Sequence, residues 1–145
     1  VLWGMTRSFI SGVIMVIVLL MFGVLHSWTA LLLPFLWLTI GFLFSSMAMV
    51  MTSFAPNFDF FTYYMELFIT PMFFFSGIFF PMDHFPQVVK VIALFLPLTH
   101  AVSISRAFVY GQLSFGVVVS FIVLLVPASC FFLWALYQMK KRLIK

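Results

Sequence analysis

The sequence predicts an all-α, polytopic membrane helix bundle, and three observations predict it. Hydrophobic side chains make up 66% of the 145 residues. Charged ones make up 7%, with none between Arg7 and Asp59 or between Arg106 and Lys140. Several stretches also reach the roughly 20 apolar residues that a helix needs to cross a hydrocarbon core about 30 Å thick. A soluble domain is about 45–50% apolar and about 25% charged, so these side chains cannot clothe a water-facing surface around so small a core. Soluble catalytic domains, disordered tails and disulfide scaffolds are thereby excluded. The single cysteine, Cys130, has no partner in the chain and leaves the redox compartment open.

Four stretches qualify as spans: residues 8–25, 31–54, 60–80 and 115–137. The first two are separated by His26-Ser27-Trp28-Thr29, whose polar groups and indole suit a membrane interface, and so short a break predicts a helical hairpin. The breaker Ala55-Pro56-Asn57-Phe58-Asp59 precedes the third. Pro34, Pro71 and Pro127 fall inside or near the ends of spans, where kinks are expected and where neighbouring helices and hydroxyl side chains can re-satisfy the backbone.

Segment 81–112 is harder to place. Its apolar piece, residues 88–96, is too short to cross and is bracketed by Pro86 and Pro97, and the following piece carries Arg106. Charge parity decides the reading. With four spans, Arg7 and the basic end Lys140, Lys141, Arg142 and Lys145 share one face, as the excess of cytoplasmic Lys and Arg favours. A fifth span would part them. The tail, residues 138–145, is therefore expected in the cytoplasm as a membrane anchor, and segment 81–112 on the outer side as two short interfacial or re-entrant helices. The formal net charge of +4 comes mostly from that tail, which fits an anionic leaflet and not nucleic acid. No signal-peptide pattern is visible at the start of the chain.

Small residues recur at helical spacing in the second span, Gly41, Ser45, Ala48 and Thr52, and in the outer segment, Ser103, Ala107 and Gly111. Such faces allow close helix approach, either within the subunit or between subunits.

Glu66 is the most unusual residue. It lies roughly 10 Å along the third span by helical rise, where an exposed charge costs about 2.5–3.5 kcal/mol on insertion scales. It is expected to face protein or water, either as a proton or substrate site or as a carboxyl hydrogen-bonded between helices. Asp83, His84 and His100 are metal-capable residue types, although a turn at the membrane surface accounts equally for the adjacent Asp83 and His84. Arg106 can hold an anionic substrate or lipid headgroup, or snorkel. Phe74 belongs to an aromatic cluster with Phe73, Phe75, Phe79 and Phe80 that either lines a path for an amphiphile or packs against lipid. There is no G-x-x-x-x-G-K-[ST] phosphate loop, no zinc-spaced Cys/His set and no convincing nucleophile and base pair, Ser103 near His100 being a weak signal.

Three stretches carry a family resemblance: Ser53-Phe54-Ala55-Pro56-Asn57-Phe58-Asp59, then Thr70-Pro71-Met72-Phe73-Phe74-Phe75-Ser76-Gly77-Ile78-Phe79-Phe80-Pro81-Met82-Asp83, then Leu96-Pro97-Leu98-Thr99-His100-Ala101. In this order and spacing the chain resembles the permease subunit of type-2 ATP-binding-cassette exporters, most nearly the nodulation-protein-J branch associated with export of lipo-oligosaccharides. The resemblance implies a six-helix subunit of which this chain supplies the last four spans, with the amphipathic N-terminal helix, two spans and most of the coupling segment lying outside it. It also implies two permease copies, as homodimer or heterodimer, and a partner cytoplasmic ATPase that binds the ATP and Mg; this chain is expected to bind no cofactor of its own. The implied setting is the bacterial cytoplasmic membrane and the implied mechanism is alternating access. Glu66, Phe74, Asp83, His84, His100 and Arg106 are then the candidates for translocation path or gate. The competing reading from the residues is a proton-coupled transporter using Glu66. An intramembrane enzyme is a third, with Asp83, His84 and His100 as its candidates.

Overall fold

The structure, a computed structural model, describes residues 1–24, 27–55, 57–79 and 85–143. The regular elements among them are all helical. Helix α1 (Leu2–Met21) is followed by a 3-10 turn (Trp28–Leu32) and by α2 (Leu33–Phe54). Two short helices, α3 (Asp59–Tyr64) and α4 (Thr70–Phe75), flank a π-helical turn at Met65–Ile69, so residues 59–75 form one locally widened helical run. Helices α5 (Gln87–Phe95), α6 (Pro97–Tyr110) and α7 (Phe115–Leu143) follow.

The central rod is α2, which packs along α1 on one side and α7 on the other and also touches α6. Its Leu36, Leu43 and Met47 join Val16 of α1, Ile104 and Phe108 of α6, and Leu124 and Ala128 of α7 in one buried cluster. The α1–α2 approach is close because small residues line it. A Cβ on Gly41 would stand 2.6 Å from the Ser8 hydroxyl and 3.2 Å from the Met5 Cα, and one on Gly4 would collide with the Ser45 hydroxyl.

Helix ends follow local chemistry. Expected to run to residue 25, α1 stops at Met21. Gly23 takes the left-handed conformation at φ 65°, and the bonds Gly23 N–H to Leu20 C=O and Val24 N–H to Leu19 C=O close a Schellman motif. The helix also begins earlier than expected, at Leu2. No break is needed at Pro34, because it occupies the first turn of α2, where a missing N–H costs no helical bond. The long α7 runs through Pro127.

The expected span at residues 60–80 is shorter in the structure. Its helical run ends at Phe75, with Gly77 at φ 80° just beyond, and at 1.5 Å per residue it is about 25 Å long. Among the described residues, three continuous stretches, Leu2–Met21, Trp28–Phe54 and Phe115–Lys141, are long and apolar enough to cross a membrane, and α5 with α6 form a further pair bent by 89°.

Candidate functional site

The sharp bend between α5 and α6 is built by Leu96-Pro97. A residue before proline is driven out of the helical region, and Leu96 accordingly sits extended at φ −83°, ψ 122°. Pro97 then opens α6 in the position where proline is best tolerated. One turn on, His100 fastens the elbow. Its Nε2 lies 2.8 Å from the Leu94 carbonyl of α5, and its Nδ1 lies 3.2 Å from Ser120 Oγ of α7. The last carbonyls of a helix have no partner within it, so an imidazole donating from Nε2 satisfies one of them while Nδ1 accepts from the serine. One side chain thus joins three helices. At its far end, α6 is held by the α1–α2 connection, where Thr29 Oγ1 donates to the Phe108 carbonyl at 2.6 Å. A Cβ on Gly111 would come within 2.8 Å of Ser27 Oγ, and φ there is 71°, so this close turn is a place for glycine.

Arg106 ties α6 to the end of the widened run. Its guanidinium donates to the Gly77 carbonyl at 2.7 Å, and Ser76, buried beside that glycine, closes the turn by donating to the Phe73 carbonyl at 2.7 Å. Phe74 lies nearby and is exposed, with its ring 5.6 Å from that of Phe79. Gly77 therefore brings Arg106 and the aromatic end of the run into one neighbourhood.

The π turn is explained by Pro71. Proline cannot donate to the carbonyl four residues back, and its ring crowds that carbonyl. Just before it, the Thr70 backbone N–H and its hydroxyl both bond the Met65 carbonyl, five residues back, the hydroxyl at 3.0 Å. Widening one turn keeps the run helical across the proline. Glu66 sits in this turn and is exposed on the chain's surface, beside Met65 and Leu67, which are 58% and 76% exposed. No hydrogen bond or ion pair joins Glu66 to His100 or Arg106 among the described residues. Between the π turn, α1 and α2 runs a groove of about 570 Å³ bordered by Arg7, Ser8, Ser11, Ser45 and Tyr64.

The small-residue stripe of α2 divides in two. Gly41 and Ser45 meet α1, whereas Ala48 and Thr52 are exposed. Lys140 and Lys141 lie in the last turns of α7. Asp83, His84 and Lys145 lie outside the described residues, as does the side chain of Arg142. Of the metal-capable residues, His100 has both ring nitrogens engaged by Leu94 and Ser120.

Sequence reasoning missed the α1 half of the hairpin seam, although Gly4, Ser8 and Gly12 recur every four residues, the spacing that marks a close helix face. It also missed the π turn, whose signal was Pro71 within an otherwise helical stretch, and the roles of Gly77 and Ser120 as partners.

Comparison with known proteins places these elements in context. The ABC-2 type transporter family matches residues 1–110. Nodulation protein J of Rhizobium leguminosarum bv. viciae is 43% identical over 112 residues, covering 76% of this chain and 42% of that protein. Nodulation protein J of Sinorhizobium fredii is 33% identical over 144 residues, covering 98% of this chain and 54% of that protein. The chain thus spans about half the length of these curated relatives. No solved structure matches it.

Proposed function

The chain belongs to the ABC-2 type transporter family, and we propose that it forms the membrane-spanning part of the permease subunit of an ATP-driven exporter. The cargo class is amphiphilic or saccharide-containing, moved out of the cytoplasm; the resemblance to lipo-oligosaccharide permeases supports this class. The observation that carries the reading is the family match over residues 1–110, a stretch that takes in the α1–α2 hairpin, the widened run and the bent pair. ATP and Mg belong to a partner ATPase subunit, and a second permease copy completes the path in a bacterial cytoplasmic membrane.

In this reading α1, α2, α6 and α7 move as one stiff body, because they share the buried cluster around Leu36, Leu43 and Ile104. Helix α5, hinged to α6 at the Leu96-Pro97 elbow, is the lever of the bent pair, which acts as the exit gate at the end of the bundle opposite Lys140 and Lys141. Closure of the ATPase subunits acts on the cytoplasmic ends of the stiff body, the α5 lever follows through His100, and Arg106 carries the end of the widened run with α6. Glu66 faces the path or the second copy, where its carboxyl finds the polar surroundings that lipid denies it.

Export measured in membranes containing the whole transporter tests this. Inactivating the partner ATPase should abolish export, whereas collapsing the proton gradient should leave most of it; the opposite pattern overturns the proposal in favour of proton coupling. Glu66→Gln should lower export by less than about threefold, since an amide reproduces the donor and acceptor of a neutral, protonated carboxyl that relays no proton. Single cysteines at Gln87 and Gln112, in a Cys130→Ser background, should label with an impermeant reagent from outside the cell. Labelling only from the cytoplasmic side would invert the topology.

A further inference from the structure

Two cavities lie side by side around the exposed side of α6. One, of about 490 Å³, separates α6 from the start of α7, and its polar groups come from Ser103, Arg106, Tyr110, Gln112, Ser114 and Ser120. The other, of about 260 Å³, lies between α6 and the α1–α2 hairpin and is walled by Met15, Leu19, Leu33, Trp37 and Val109. Arg106 and Tyr110 border both. A polar chamber with a permanent cation therefore adjoins an apolar chamber across two shared side chains.

We propose that this pair of cavities binds an anionic phospholipid of the surrounding bilayer, its phosphate on Arg106 and one acyl chain against Trp37. Charge complementarity selects the headgroup. Among the described residues no acidic side chain lines either chamber, and a guanidinium beside an apolar wall gains most from an anion that enters with it. The guanidinium has five N–H donors, and its bond to Gly77 uses one, so a fork remains for two phosphate oxygens. The Ser103 and Ser114 hydroxyls and the Gln112 amide supply donors and acceptors for the glycerol and ester oxygens. Neutral polar lining alone would suit water, and an apolar pocket alone would suit any acyl chain. Their junction at a cation selects an anionic amphiphile. The site stands independently of the export reading, since its test needs neither nucleotide nor cargo.

The test uses the whole chain in detergent micelles, with Trp3, Trp28 and Trp134 replaced by phenylalanine so that fluorescence reports Trp37. Phosphatidylglycerol or phosphatidylcholine carrying bromine on an acyl chain is added as quencher. Phosphatidylglycerol should quench Trp37 at about one tenth the mole fraction that phosphatidylcholine needs, the ratio expected of one charge-assisted contact. Arg106→Gln should erase that preference and Arg106→Lys should retain part of it. Because Arg106 also holds Gly77, Ser103→Phe provides an independent arm: it fills the polar chamber, leaves that bond in place, and should erase the preference as well. Equal quenching by the two lipids in the parent chain overturns the proposal, as does a preference that survives Ser103→Phe. Full displacement of the lipid by equimolar glycerol 3-phosphate would reassign the site to a soluble phosphate and remove the lipid as its occupant.

Discussion

The α1–α2 hairpin and the run from residue 59 to 75 are both strongly apolar, yet they are held in different ways. Helix α2 buries Leu33, Leu36, Gly41, Leu43, Ser46, Met47, Val50 and Ser53. In the other region α3 and the π turn bury nothing, and α4 buries only Met72. Hydrophobicity does not distinguish the two, because lipid tails are as apolar as leucine and give helices no reason to leave them for one another. Shape does. Small residues let the α1 and α2 backbones approach until side chains interlock, whereas residues 59–75 contain no glycine, alanine or serine. That run is fastened near its end instead, by a polar tie from Arg106 to the Gly77 carbonyl.

The largest expected effect follows from breaking the close seam. Gly41→Leu should destabilise the chain by about 3 kcal/mol, because its side chain meets the Met5 backbone and not only a mobile rotamer. Gly116→Leu should change stability by less than about 0.5 kcal/mol, since a Cβ there meets only Ser114 Oγ at 3.4 Å. Reversible unfolding in mixed micelles measures both, and equal losses would show that the close approach at Gly41 matters no more than an open helix position.

A smaller effect is expected at the polar tie. Arg106 is exposed, so its single hydrogen bond is worth about 1 kcal/mol after solvent screening. Arg106→Gln should speed amide hydrogen exchange around residues 76–79 by about fivefold while leaving α2 unchanged. Faster exchange throughout α2 would show that the widened run and the hairpin unfold as one unit. The smallest effect of breaking a polar contact belongs to the elbow. His100→Ala should cost about 0.5–1 kcal/mol and broaden the distance distribution between spin labels at Val91 and Val118. An unchanged distribution would leave Leu96-Pro97 as the sole determinant of the bend.

Much of this architecture was legible in the residues. Apolar stretches of sufficient length marked α1, α2 and α7, and Pro86 and Pro97 marked the bent pair between the widened run and α7. The terminations at Gly23 and Gly77 were legible in principle, because glycine alone enters the left-handed region without strain, but the strong apolar signal continuing past each of them obscured the stop. Of the candidate site residues, His100 and Arg106 stood out as polar groups in an apolar setting. What they bond did not, because a serine twenty residues away and a backbone carbonyl have no signature in sequence.

By itself, then, the sequence determined the solvent, the helical class and the places where helices must break, since these follow from the cost of exposing backbone and charge to hydrocarbon and from the covalent limits of proline and glycine. Only the tertiary structure decided which apolar face meets another helix of the chain and which stays exposed, why the turn holding Glu66 is widened, and where Arg106 spends a hydrogen bond. In lipid both faces of a helix are apolar, so periodicity carries no orientation. Side-chain shape at close approach and a few polar contacts between distant residues supply it instead.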